Sequence, residues 1–171
     1  MLYFLGNFPA PTTAAAAAVT TGTVIKTMLQ VKLNASATNT GKIVEWHISF
    51  DGSAAATPIK CELLTTGTVK ATITEFVAAD IINLDPNAPA VTDDNPFAFG
   101  AAGDESGYAA SAEGTITATR MLDVAFVAPT NERTIQYPLG REPGFAPADF
   151  LRVRVTAGAA VNCYTYLVIE I

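Results

Sequence analysis

The sequence predicts an all-β chain folded as an antiparallel β-sandwich. Apolar residues recur with a period of two in short segments, the mark of half-buried strands. Turn residues divide those segments at close intervals, which argues against alternating helices and strands. The 171 residues suffice for one domain with a sizeable core. They are read as an extended N-terminal arm, 1–18, and a single sandwich domain, 19–171, interrupted by one long acidic loop over about 80–113.

Met1–Phe8 (MLYFLGNF) is apolar and aromatic, followed by Pro9, Pro11 and the run Ala14–Ala18. No Lys or Arg precedes it and the prolines interrupt it, so it makes a poor signal peptide. It is either a first strand in its own sheet or an arm docked on a neighbouring subunit. Over Thr23–Leu33, the residues Ile25, Thr27, Leu29, Val31 and Leu33 share an inward face, opposite Lys26, Met28, Gln30 and Lys32. A polar loop, Asn34–Gly41, leads to the expected centre of the fold, Val44–Leu64. There Val44, Trp46, Ile48 and Phe50 point inward, against Glu45, His47 and Ser49. Asp51-Gly52 turns the chain. After a small-residue loop, Pro58 opens a second strand with Ile59, Cys61 and Leu63 inward. The two strands are read as a hairpin. Burying Trp46, Ile48 and Phe50 contributes roughly 1.5–3 kcal/mol each before conformational entropy is subtracted.

Thr65–Gly67 turns into a strand over Val69–Phe76. Asp80–Glu113 differs in character, with Pro86, Pro89, Pro96 and the acids Asp85, Asp93, Asp94, Asp104, Glu105 and Glu113. Loops of this length are functional or mobile as a rule. The carboxylates invite a calcium reading, but the EF-hand spacing is missing. Phe97, Phe99 and Tyr108 point instead to packing on a partner or on the sandwich edge. Over Thr115–Ala128, Leu122, Val124 and Phe126 share the inward parity, and Arg120 in the same phase marks a bulge or break. Arg133–Tyr137 follows a turn, and Pro138–Ala148 is a connector exposing Arg141 and Phe145. Phe150–Thr156 and Ala160–Ile171 close the chain as a final hairpin, with Leu151, Val153 and Val155 in and Arg152 and Arg154 out. In the last strand Cys163, Leu167, Ile169 and Ile171 lie on one side, and Tyr164, Tyr166 and Val168 on the other. A strand apolar on both sides is normally covered on both, so this strand is a candidate subunit interface.

Half of the residues are hydrophobic and only 15% are charged, against a usual ~25%. Such a surface is either covered by sister subunits or a larger assembly, or built from Thr, Ser, Asn and Ala. A net charge of −6 disfavours nucleic acid and anionic membranes as partners. No apolar run approaches the ~20 residues a helix needs to cross a bilayer. Cys61 and Cys163 sit in apolar strands and are read as buried thiols rather than a disulfide. His47 is the only histidine, on the polar face of its strand. A Ser-His-Asp or Cys-His site would have to use it, yet Cys61 has the opposite parity. Walker, dinucleotide and zinc spacings do not occur. The residues thus assemble no catalytic or metal site, and neither enzymatic activity nor a cofactor is expected.

The run Trp46–Gly52 (WHISFDG), followed by Pro58–Leu64 (PIKCELL), resembles a pattern in head decoration or cement proteins of tailed bacteriophages. The final Phe150–Gly158 run (FLRVRVTAG) with its Tyr-containing partner strand is similar too, so that the resemblance covers about a third of the chain. It implies a jelly-roll type of sandwich that trimerises on the outer capsid surface and clamps neighbouring major capsid subunits against internal DNA pressure. The implied partners are the major capsid protein and further copies of the chain. Residues expected at a subunit or capsid interface are Leu2, Tyr3, Phe4, Phe8, Phe97, Phe99, Tyr108, Arg141, Phe145, Tyr164 and Tyr166. Two rival readings remain: a tail or spike module that binds host glycans on a Phe97–Tyr108 aromatic platform, and a small hydrolase using loop carboxylates.

Overall fold

A computed structural model describes residues 1–34, 38, 40–92, 95–100 and 105–171. Its strands are β1 (Leu2–Gly6), β2 (Val19–Thr20), β3 (Ile25–Lys32), β4 (Gly41–Asp51), β5 (Ile59–Thr65), β6 (Thr72–Glu75), β7 (Ile81–Asn83), β8 (Gly107–Ala112), β9 (Arg120–Val127), β10 (Glu132–Gln136), β11 (Gly144–Phe145), β12 (Phe150–Thr156) and β13 (Asn162–Glu170). They form two antiparallel sheets that pack as a sandwich. One runs β10-β4-β13-β1-β7, with β11 added beside β4 and β2 beside β13, and the other runs β6-β8-β3-β12-β5-β9. Inward side chains of both sheets make one core that includes Leu5, Leu29, Val31, Trp46, Ile48, Cys61, Leu63, Val153, Leu167 and Ile169.

The expected hairpins are arches. β4 and β5 follow each other in sequence, yet β4 pairs with β13 and β10 while β5 pairs with β12 and β9. The last two strands likewise lie in different sheets. Face-to-face sheets sit about 10 Å apart. The small-residue connection 52–58 and the turn at 157–161 are long enough to cross that gap, so each apolar row meets its neighbour across the core.

The N-terminal segment is part of the sandwich and not a separate arm. β1 inserts between β13 and β7, with Leu5 opposite both Leu167 and Ile81. Asn7 continues the ladder with its side chain, donating to the Cys163 carbonyl at 3.0 Å and accepting from the Thr165 amide at 2.9 Å. Pairing on both sides satisfies the backbone of this apolar stretch within its own chain. The boundary drawn at residue 18 therefore has no counterpart in the fold. Only the stretch 9–18 leaves the sheet, returning where Val19 pairs with Cys163.

Bulges in β3, β4 and β9 reset the alternation. In β3, Leu29 pairs with Val153 and Thr27 with the adjacent Arg154, leaving Met28 extra. Met28 is buried, while Ile25 becomes 39% exposed and Thr27 turns outward with Arg154, against the expected inward row. In β4, Val44 is extra, so Ile43 takes the inward place expected for Val44. In β9, Leu122 is extra between Asp123, opposite Leu63, and Met121, opposite Leu64. Asp123, Ala125 and Val127 consequently share the inward phase, and Val124 and Phe126 face solvent, the reverse of the expected order. A bulge places two residues against one and so inverts every side chain beyond it.

Aromatics named as interface candidates plug the sandwich, Phe97 and Phe99 packing on it from the loop and Phe145 buried rather than exposed. Phe97 bridges to Leu33 and meets Tyr3 edge to face at 5.2 Å, and Ala98 donates to the Lys32 carbonyl at 3.0 Å. Phe145 lies on Gly41, where an added Cβ would stand 2.6 Å from the ring. Leu5→Ala should cost about 2–5 kcal/mol in urea unfolding. Leu139→Ala, at a side chain 96% exposed, should stay within about 0.5 kcal/mol.

Candidate interaction surfaces

The outer face of the seven-stranded sheet carries a row of rings set by strand register. Gly6, Tyr166, His47 and Thr134 stand side by side across β1, β13, β4 and β10. Gly6 has no side chain, and Phe8 folds back into that space; a Cβ there would stand 2.6 Å from the Phe8 ring. Phe8 packs on Phe4 at 6.3 Å and Phe4 on Tyr166 at 4.9 Å. Tyr166 stacks on His47 at 4.9 Å with 14° between planes. Tyr164 closes on Phe8 at 6.0 Å. The polar tips are occupied within the chain: Tyr166 donates to Glu45 at 2.6 Å, Tyr164 to the Ala16 carbonyl at 2.8 Å, and His47 Nδ1 lies 2.7 Å from Thr134 Oγ1. Burial holds His47 below its usual value, against an opposing pull from Glu132 and Glu45.

Towards the β7 edge this face becomes purely apolar. Phe4 lies opposite Ile82, and the Leu84 amide donates to the Leu2 carbonyl at 2.9 Å. Leu2, Phe4, Ile82 and Leu84 therefore form a block two strands wide and two positions deep. Leu2 is 39%, Ile82 44% and Leu84 48% exposed.

A second apolar row lies at the opposite corner, on the outer face of the six-stranded sheet, and its origin is a buried hydrogen-bond requirement. Trp46 is fully buried, and its indole N–H donates to Asp123 at 3.1 Å. Arg133 grips the same carboxylate with two contacts, 2.6 and 3.3 Å, and lies over the Trp46 ring at 5.3 Å. This joins β9 to β10 and closes one side of the sandwich. With Asp123 held inward, Met121, Val124 and Phe126 line the outer face at 46, 47 and 73% exposure. Lys60, opposite Phe126, and exposed Arg120 flank that row.

Between these corners the outer face of the six-stranded sheet is polar and covered. Arg152 has the outward parity expected, yet it is fully buried, because the segments carrying Val69 and Glu113 close over it. It donates to the Glu113 carbonyl at 3.0 Å, to the Glu113 carboxylate at 3.3 Å and to the Val69 carbonyl. Glu113 also accepts from Thr27 Oγ1 at 2.6 Å. Arg154 pairs with Glu62, which Lys60 contacts as well. Burial alone would raise the Glu62 carboxyl, but the two cations outweigh it and hold it below the usual range.

The residues expected at an interface divide into two groups. Phe4, Phe8, Tyr164 and Tyr166 come together in the half-buried ring row, Leu2 joins the block beside it, and Arg141 is exposed. Tyr108 is half-buried against Phe76 at 5.7 Å. Tyr3, Phe97, Phe99 and Phe145 are core and are removed from any surface role, since their rings displace water inside the sandwich. Surface residues not singled out from sequence are Ile82, Leu84 and Met121, while Val124 and Phe126 are the ones expected in the inward row. The alternation in Ile82-Asn83-Leu84 is a usable signal for the first pair; for the β9 row the out-of-phase Arg120 signals the bulge that the structure places at Leu122, but not which residues it turns outward.

Cys61 and Cys163 are free and buried. A groove at one end of the sandwich gathers Thr65, Arg120, Phe145 and Asp149, with Arg120 already donating to the Gly144 carbonyl. Among the described residues no group of three or more His, Cys, Asp or Glu side chains could hold a metal ion. Asp93, Asp94 and Asp104 of the calcium reading lie outside the described residues. No protein-family model matches the chain, and neither a curated protein nor a solved structure is found to be similar to it.

Asp123→Ala leaves Trp46 N–H and Arg133 without their acceptor and should cost about 1–3 kcal/mol. Phe126→Ser, at an exposed side chain, should change stability by less than about 0.5 kcal/mol. Urea midpoints of the two variants check the contrast. The pH dependence should fall off on both sides. Burial pushes Cys61 up to about 12, and burial followed by the Glu45 hydrogen bond pushes Tyr166 up to about 12. Their contribution is complete below the ordinary thiol and phenol values and is lost as pH rises through about 12. Glu62 has the opposite sign: its contribution is present above the ordinary carboxyl value and is lost as pH falls through the depressed one. Unfolding midpoints measured across pH should therefore show a plateau around neutrality and decline at both ends.

Proposed function

We propose that the chain is a non-enzymatic structural protein of a tailed-bacteriophage virion. In this reading it is a head decoration or cement protein with a jelly-roll type of sandwich, placed on the outer surface of the capsid. It binds the shell of major capsid protein as a homotrimer. The mechanism is added interface: specific contacts bury about 1,200–2,000 Å² each, and repetition over a lattice multiplies their effect.

The observation that supports this most is the pair of apolar surfaces at opposite corners, Leu2–Phe4–Ile82–Leu84 and Met121–Val124–Phe126. A sandwich that buried its apolar residues only for its own stability would not leave a phenylalanine 73% exposed in a row of others. The glycan-binding alternative loses its platform, because Phe97 and Phe99 are core.

The direct test mixes the purified protein with tailed-phage heads lacking their own decoration protein. Co-sedimentation should saturate at a fixed ratio to major capsid protein and raise the temperature at which the heads release DNA. Protein that stays in the supernatant at all ratios, with DNA release unchanged, overturns the proposal.

A further inference from the structure

We propose that copies of this chain associate head to tail, the β9 row of one copy covering the β1–β7 block of the next. This rests on the self-assembly half of the function proposed above and names its two surfaces. The Asp123–Arg133 pair places β9 beside β10 at one side of the sandwich, and the short link from Glu75 to Ile81 keeps β7 near β6 at the other. Met121, Val124 and Phe126 face out from the six-stranded sheet, whereas Leu2, Phe4, Ile82 and Leu84 face out from the seven-stranded one. The two patches are thus at diagonal corners and differ in composition. An isologous dimer would cover one kind and leave the other bare. A heterologous contact covers both, and its repetition ends when a ring closes.

Charge selects the same pairing. Lys60, opposite Phe126, and Arg154 both contact Glu62, which stands opposite Val124, so cations outnumber acids beside the β9 row. The block on the other face is flanked by Glu170 opposite Leu2, which Lys42 pairs at 3.7 Å, by Glu45 opposite Val168 in the row of Phe4, and by Asp85 after Leu84, so acids outnumber cations there. Cationic rim meets acidic rim when the patches differ, and like charges meet when they are the same. A standard interface needs about 800 Å² from each partner, more than a few side chains supply, so the rims have to take part.

The β9 edge itself is not the joint. The Leu122 bulge distorts it, and Asp123 Oδ1 accepts from the Val124 amide at 2.8 Å, capping a donor that an added strand would need. Contact is made by the side-chain face.

Light scattering over a concentration series reads the outcome in multiples of 17.9 kDa. The intact chain should exceed one multiple. Phe126→Asp and Ile82→Asp should each weaken assembly by roughly tenfold or more. Mixed in equal amounts, the two variants should form a one-to-one heterodimer, because each retains the patch the other has lost. Both positions are exposed; circular dichroism checks folding, and Val124→Asp with Leu84→Asp serve as the second pair. An intact chain that is monomeric throughout removes self-assembly and this inference together. An assembly that survives either charged variant, or a mixture that yields no heterodimer, overturns the head-to-tail contact while leaving self-assembly standing.

Discussion

The hydrogen bond from the Trp46 indole to Asp123 sets much of what this protein presents to its surroundings. A fully buried indole N–H needs an acceptor, and the acceptor comes from the edge strand of the opposite sheet. With Asp123 inward, regular alternation turns Val124 and Phe126 outward, and the bulge at Leu122 brings Met121 onto the same outer face. Arg133 then neutralises the carboxylate and covers the indole, tying the two sheet edges together. The apolar row on β9 follows from satisfying one polar atom in the core.

The rest of the sandwich follows from where short connections lead. β3, β4 and β5 alternate between sheets, as do β12 and β13, so neighbours in sequence face one another across the core. Lateral pairing is left to distant segments, and the first strand lies against the last. This explains why the N-terminal stretch is integral: β13 would otherwise present an apolar edge beside Leu167 and Ile169. It also explains the role of the acidic loop, whose Phe97 and Phe99 fill space the strands leave open.

The two outer faces differ in consequence. One carries a row of rings whose hydroxyls are already bonded to Glu45 and Ala16, so it offers apolar edges more than free polar groups. The other is covered at its centre by a strap pinned through Arg152, Glu113 and Gln30, leaving its β9 margin bare. Contiguous apolar rows therefore lie at two diagonal corners, a distribution that suits repeated contacts better than a single binding cleft.

Sequence alone determined the all-β class, the inward rows from Trp46 to Phe50 and from Ile59 to Leu63, and both faces of the last strand. Alternation is a property of the extended backbone and is legible wherever pairing is regular. It also placed Phe4, Phe8, Tyr164 and Tyr166 as candidates, and the structure gathers them on one face. Only the tertiary structure decided which sheet each strand joins, because the same inward row fits a hairpin or an arch. It alone decided the parity beyond Met28 and Val44, and where in β9 the bulge signalled by Arg120 falls, since a bulge is fixed by the partner strand and by polar groups far away in sequence. The burial of Phe97, Phe99 and Phe145 was decided the same way, by cavities that exist only once both sheets are in place.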